Sequence, residues 1–272
     1  EAPWLHREIA TRMAERLVLM KAQPQTVLDW WARIGGGHAA LAAAYPKAAV
    51  HAVETSAVAR RLVAQAPPPW WRRVWQPAAT LFSEDAVLQN GAQLVWANMV
   101  LHHSADPGAL MAQWRRALAV EGFVMLSTLG PATLSMLRDI YRDAGWGEAH
   151  APFVDMHDIG DMLVAAGFSG PVMDQEQITL TWASPEAALV ELSGLGVNAH
   201  LARHAGWRTP RWRQRLGDAL RERATRADGR IALGFEVVYG HAFNPAPRAK
   251  AAGQTEVSLD QMRAMVKSTP GA

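Results

Sequence analysis

Cysteine is missing altogether from this 272-residue chain, which removes disulfides, thiolate nucleophiles and Cys-ligated metals from its chemistry. No apolar run reaches the roughly 18 residues of a membrane span, and no secretory leader opens the chain. A cytoplasmic protein without membrane contact is therefore expected. No Gly-Lys-[Ser/Thr] follows a glycine loop, which argues against an NTPase of the phosphate-loop type. The Gly-x-Ser-x-Gly of a nucleophile elbow is absent, and so is the Gly-x-Gly-x-x-Gly of dinucleotide-binding loops. His102-His103, and the group His150, Asp155, His157, Asp158 and Asp161, offer ligand atom types. Their spacing fits no compact metal motif, so no metal site is expected. There is no internal repeat and no heptad pattern.

Half of the residues are apolar and 19% are charged, the balance of a globular chain long enough to bury a full core. Twelve tryptophans are many for this length, and most are expected to pack in the core or under a lid. Net charge is only +2, but the cations cluster. Arg203, Arg208, Arg211, Arg213, Arg215, Arg221, Arg223, Arg226 and Arg230 crowd one segment, and Arg60, Arg61, Arg72 and Arg73 form a second group. Such a cluster steers an acidic partner. The alternative is a solvated helix face with Asp218 and Glu222 as local partners. No nucleic-acid motif accompanies the charge, so nucleic acid is not expected as a partner.

Along the chain, Leu5, Ile9, Met13, Leu17 and Met20 recur at helical spacing, and Pro24 closes that helix. Val27 to Trp30 is an apolar strand carrying Asp29. Gly35-Gly36-Gly37 follows, then an Ala-rich helix, then a second strand at 48–53 that ends in Glu54. Gly35 and Glu54 are separated by roughly the 20 residues expected between a nucleotide loop and its ribose acid. Pro67-Pro68-Pro69-Trp70-Trp71 reads as a loop. Further strands are expected at 79–82, 94–98 and 122–126, each followed by a helix. Strands at 172–182 and 231–243 are expected to pair as an antiparallel edge that brackets a helical insertion at about 185–228. The expected fold is a doubly wound, mostly parallel, seven-stranded Rossmann-like sheet forming one domain over 1–245, with a flexible tail at 246–272. In such sheets ligands sit beyond the carboxyl ends of the strands. Those ends are Asp29–Gly35, Glu54, Asn98 and Ser127–Gly130.

Val27 to Ser56, Leu94 to His102 and Ala117 to Leu129 together resemble the class I S-adenosylmethionine-dependent methyltransferases. A sharper match lies in Ser127–Leu134, Phe153–Leu163, Ala166–Phe168, Pro171–Asp174, Thr179–Trp182 and Phe235–Ala242. These stretches resemble the malonyl-acyl-carrier-protein O-methyltransferases of biotin synthesis. The resemblance implies S-adenosylmethionine as cofactor and methylation of the free carboxylate of malonyl-acyl carrier protein. It places Asp29, Gly35, Glu54, Asp85 and Asn98 on the cofactor. Gly130, Phe153, His157 and Tyr239 become acceptor-side candidates, with no single catalytic residue. An acidic acyl carrier protein is the implied partner, docked through Arg208, Arg211, Arg213 and Arg215, on a monomeric enzyme. The chain also departs from the family pattern. Trp31 and Arg33 replace two of the three glycines in the family's Asp-x-Gly-x-Gly-x-Gly loop, and Gln93 replaces an acid. The lid arm usual ahead of the first helix is expected to be short or outside this numbering. The altered loop opens an alternative: a methyltransferase-fold protein that has lost cofactor binding and serves as a carrier-binding or partner subunit.

Overall fold

A computed structural model describes residues 2–64, 80–87 and 91–247. The proline-rich stretch 67–71, Arg72, Arg73 and nearly all of the expected tail lie outside the described residues. The chain opens with α1 (Trp4–Arg16), whose Leu5, Ile9 and Met13 are buried at the expected helical spacing. Then follow β1 (Thr26–Trp30), a single helical turn α2 (Ala32–Gly35), α3 (His38–Ala44), β2 (Ala49–Glu54), α4 (Ala57–Ala64) and β3 (Leu81–Ser83). β4 (Ala92–Asn98), α5 (Pro107–Ala117), β5 (Leu118–Leu129), α6 (Ser135–Asp143) and α7 (Met156–Ala165) come next. The chain closes with β6 (Ser169–Trp182), α8 (Pro185–Leu195), α9 (Pro210–Ala224) and β7 (Ile231–Phe243).

Three of these helices start by the same local chemistry. Asp106, Ser184 and Thr209 each precede a proline, and each side chain accepts a hydrogen bond from the backbone N–H three residues on. Proline at the first helical position has no N–H to leave orphaned, and the capping oxygen satisfies one that remains.

The seven strands form one sheet in the order β3-β2-β1-β4-β5-β7-β6. β1 pairs in parallel with β2 and β4, and β4 with β5. β7 runs antiparallel to both β5 and β6. The helices α8 and α9 fill the excursion between β6 and β7, as the sequence predicts. The segment 196–209 between them is not helical, although its composition predicts helical character over 198–228. Gly196, Gly206 and Thr209-Pro210 interrupt it, and these are residues that break helices. β5 is longer than expected, beginning at Leu118. Apolar residues cover both faces of the sheet: Trp96, Phe123 and Tyr239 with α1 and α9 on one side, Trp30, Val95 and Val124 with α5 and α7 on the other. Trp30, Trp96 and Trp114 are fully buried, whereas Trp207 is fully exposed.

Gln93, which stands where the family carries an acid, accepts hydrogen bonds from the backbone N–H groups of Gln25 and Thr26. An amide oxygen suffices to hold the start of β1 against β4.

Candidate cofactor crevice and acceptor face

Asp29 and Glu54 stand on adjacent parallel strands, at the carboxyl ends where β1 and β2 open toward the loops. Both are buried, Asp29 to 1% exposure and Glu54 to 3%. Neither oxygen of Asp29 has a hydrogen-bond partner among the described residues. Burial, with the neighbouring charge of Glu54, pushes the Asp29 carboxyl up to about 8. Burial also raises Glu54, while the Arg33 backbone N–H, donating to its Oε1 at 2.7 Å, offsets part of that rise. An orphaned buried carboxylate is costly, and it marks a place where a ligand supplies the missing donor.

The altered glycine loop wraps this pair. Trp31 sits in the left-handed region, φ 52° and ψ 50°, a conformation ordinarily left to glycine. Its N–H donates to Val53 O at 2.7 Å, and its carbonyl accepts from Ile34 and Gly35, closing α2. The loop thus keeps a glycine-type backbone with a tryptophan in it. The cost, about 1–2 kcal/mol, is set against the indole, whose Nε1 donates to Glu84 Oε1 at 2.7 Å. Trp30 Nε1 donates to the same oxygen at 2.9 Å. The Arg33 side chain is exposed, and its charge favours the ionised form of Glu54. One turn later Gly37 is irreplaceable, because a Cβ there would lie 2.2 Å from Trp96 Nε1.

Three non-glycine residues with positive φ lie at this edge of the sheet: Trp31 after β1, Met99 after β4 and Leu134 after β5. Strained backbone gathers at functional edges, where the surrounding structure over-determines it. Asn98, at the end of β4, donates from Nδ2 to His6 O at 2.8 Å and to Gly35 O at 2.6 Å, and accepts from Ser127 Oγ at 2.7 Å. It pins α1, the glycine loop and β5 together. Asp85 is exposed on the turn after β3, with Glu84 beside it holding the two indoles. Glu84 escaped sequence reasoning, since only the fold brings it to Trp30 and Trp31.

On the acceptor side, Gly130 donates its N–H to Glu236 O at 2.9 Å. Its missing Cβ would meet Glu236 Oε2 at 2.5 Å. That buried glutamate also accepts from Ala132 N at 2.8 Å, and its backbone exchanges two bonds with Thr133 Oγ1 at 3.0 Å each. Glu236 therefore shapes the loop after β5, a role that no sequence spacing announces. Phe153 is stacked on His150 at 4.8 Å and edge-on to His102 at 5.9 Å. His157 is exposed and pairs with Asp155, the cap of α7. Tyr239 is buried on β7; its hydroxyl donates to Glu176, and the Arg16 guanidinium lies 3.7 Å from its ring centre. The structure brings Asp29, Gly35, Glu54 and Asn98 together at one edge, while His157 lies outside that group on the capped start of α7.

A family model described as "Methyltransferase domain" matches residues 4–170. Among curated proteins, the malonyl-[acyl-carrier protein] O-methyltransferase of Gallionella capsiferriformans is 35% identical over 92% of this chain and 87% of its own. That of Laribacter hongkongensis is 36% identical over 98% and 90%. The chain belongs to the malonyl-[acyl-carrier protein] O-methyltransferase family. Solved structures agree in fold at low identity. The YcgJ protein of Bacillus subtilis superposes with a TM-score of 0.59 at 11% identity, covering 89% of this chain and all of that one. The [4+2]-cyclase SpnF gives 0.52 at 16%, covering 91% and 85%. A cyclase on the same frame shows that the fold alone does not select the chemistry, so the O-methyltransferase family assignment rests on the sequence kinship.

In this family member the acid pair fits the family's cofactor. Asp29 offers a carboxyl without a donor among the described residues, and Glu54 a second one held by the Arg33 N–H, acceptors of the kind that a cation and a sugar edge require.

Proposed function

We propose that this chain transfers the methyl group of S-adenosylmethionine to the free carboxylate of a malonyl group carried on acyl carrier protein. The reading is carried by its kinship, over nearly its whole length, to curated proteins bearing that activity in their names. The partnerless Asp29 carboxylate at the head of β1 supports it. Bound S-adenosylmethionine supplies a methyl group on a sulfonium, already activated toward a nucleophile. Asp29 would hold the ammonium, Glu54 the ribose hydroxyls, and the backbone of Gly35 would border the methionine portion, with Asp85 and Asn98 near the adenine. The acceptor carboxylate is ionised at neutral pH, so the protein needs no general base. Its residues have to orient the carboxylate and exclude water. Gly130, Phe153, His157 and Tyr239 are the acceptor-side candidates in this reading.

The carrier protein would dock on the insertion between β6 and β7. Arg211, Arg213 and Arg215 are exposed on α9, and Leu201 and Trp207, 97% and 99% exposed, stand in the segment before it. An apolar face set among arginines suits an acidic helical partner. Arg208 is held differently: it donates to Trp146 O at 2.6 Å and lies 4.4 Å from the Trp212 ring centre, so it braces the surface more than it presents charge. No helix among the described residues is long and apolar enough to cross a membrane. In this proposal the enzyme is a monomer that meets its carrier in the cytoplasm.

One observation favours a second reading. A strained tryptophan stands in the glycine loop, and one Glu54 oxygen is already engaged by the backbone. A protein that had lost the cofactor and kept the carrier would look similar. Calorimetry with S-adenosylhomocysteine, and methyl transfer to malonyl-acyl carrier protein, separate the two. Saturable binding with turnover supports the enzyme. Carrier binding that weakens with salt, without any cofactor binding, supports the partner subunit.

A further inference from the structure

The turn after β4 brings His102 and His103 against His6 of α1, far away in sequence. One ring nitrogen from each lies within 4.8 Å of the others. His6 is buried at 1% exposure, His102 is partly buried and His103 faces solvent. The ring centres are 6.3 Å apart for His6–His102, 6.1 Å for His6–His103 and 4.2 Å for His102–His103.

We propose that His6, His102 and His103 form a binding site for a divalent transition-metal ion of the zinc class, clamping α1 to the turn after β4. Imidazole is the ligand type such ions accept, and three protein ligands with a fourth position open to water is a common arrangement. Oxygen-seeking magnesium and calcium do not suit it.

The surroundings prepare His6 as a ligand and give His102 an outer-shell partner. His6 Nδ1 lies 2.8 Å from Ile34 O. A carbonyl only accepts, so Nδ1 carries the proton and Nε2 keeps its lone pair. His102 Nδ1 lies 3.1 Å from Thr128 Oγ1 and also 3.5 Å from the Leu129 backbone N–H, which donates to it. A metal on Nε2 would move the ring proton to Nδ1, which then donates to Thr128 at the expense of the longer Leu129 contact. A ring nitrogen donated to a carbonyl or hydroxyl is the usual outer-shell support of a metal-bound histidine. The His103 backbone N–H donates to Val100 O at 3.0 Å, while its ring touches both partners and makes no hydrogen bond among the described residues. Tetrahedral zinc sets its nitrogens about 3.3 Å apart. Side-chain rotation has to close the spacing from within 4.8 Å, and the exposure of His103 gives the ion a way in. The site adjoins the crevice, because the His6 carbonyl accepts from Asn98 and the His6 ring holds the carbonyl of Ile34 in the glycine loop. Metal binding would therefore stiffen α1 over that loop. The inference does not depend on the methyl acceptor or on cofactor binding.

The full chain, stripped with chelator, is titrated with zinc by calorimetry and with cobalt by visible absorption. One equivalent with a d–d band of four-coordinate cobalt, and a melting temperature raised by zinc, are expected. His103→Ala should abolish saturable binding while the metal-free melting temperature stays as in the parent. Thr128→Val should weaken binding by about 10–100-fold. Should His103→Ala fail to fold, His103→Gln replaces it. Binding that persists unchanged in the His103 variant, six-coordinate cobalt only, or no saturation at millimolar metal would each overturn the proposal.

Discussion

Two loops at the same edge of the sheet treat buried carboxylates in opposite ways. After β5, Glu236 finds a donor at Ala132 N and a backbone exchange with Thr133, and its charge serves the shape of the Gly130–Leu134 turn. After β1, Asp29 is more deeply buried still and has no donor among the described residues. A protein satisfies its own polar groups where it only needs structure. Where one is left open in the interior, stability has been given up, and a ligand that completes it recovers the loss. The contrast is the one that the proposed reading requires, an open acceptor at the ends of β1 and β2 and Glu236 as scaffold.

Asp29→Asn should break that contrast most strongly. It removes the buried charge at almost constant shape, so at pH 8 the ligand-free protein should gain about 2–4 kcal/mol in denaturant unfolding. S-adenosylhomocysteine binding should fall by at least about tenfold, for want of a charged acceptor. A destabilised Asn variant would mean that Asp29 has an internal partner after all. Glu236→Ala should behave in the opposite sense. It strips the acceptor from Ala132 N and should cost about 1–3 kcal/mol, with cofactor affinity unchanged by calorimetry.

The pH dependence carries the same contrast to smaller effect. With its folded value near 8 against an ordinary 3.8, Asp29 is protonated at pH 7 in the ligand-free protein and its unfolded counterpart is not. Its share of stability is therefore present below 3.8 and is lost as pH rises toward 8. A cationic ligand needs the ionised form, so binding releases a proton. S-adenosylhomocysteine affinity should climb by up to about tenfold per pH unit between pH 6 and 8, then level off. Glu236→Ala should leave that profile in place, while Asp29→Asn should flatten it. The histidines add an acid-side limit. Burial lowers His6 from 6.5 to about 4, so the unfolded chain takes up its proton first, and stability falls as pH drops from about 6.5 toward 4.

How far the sequence disclosed these features follows from their range. Strands such as Leu94–Asn98 and helices such as α1 announce themselves through local periodicity. The acid pair was legible because strand, glycine turn, helix and strand place Asp29 and Glu54 by topology alone. Glu84, Glu236 and His6 were not legible as site residues. Each acts on a partner brought by tertiary pairing, Glu84 on Trp30 and Trp31, Glu236 on Ala132, His6 on His102. The left-handed backbone of Trp31 was hidden for a different reason. The spacing shows a tryptophan where glycine is customary, but only the folded backbone tells whether the loop moved or the residue bore the strain.

The smallest expected effect decides what that strain is for. Trp31→Gly relieves about 1–2 kcal/mol of left-handed strain. It gives back about 0.5–1 kcal/mol in backbone entropy, and it loses a charge-assisted bond to Glu84 of about 1.5–3 kcal/mol. The balance is a net loss of about 1 kcal/mol, readable in urea melts. If the indole only fills space that the cofactor can share, S-adenosylhomocysteine affinity will stay within about twofold. If the indole obstructs the crevice, affinity will rise in Trp31→Gly. Arg33→Gly alone should change affinity by no more than about twofold, because its side chain is exposed, its charge is screened and its backbone N–H still reaches Glu54. The pair of variants thus separates a loop that was altered and kept working from one that was closed. The first outcome leaves the two loops opposed as binding side and scaffold; the second would make both of them scaffold.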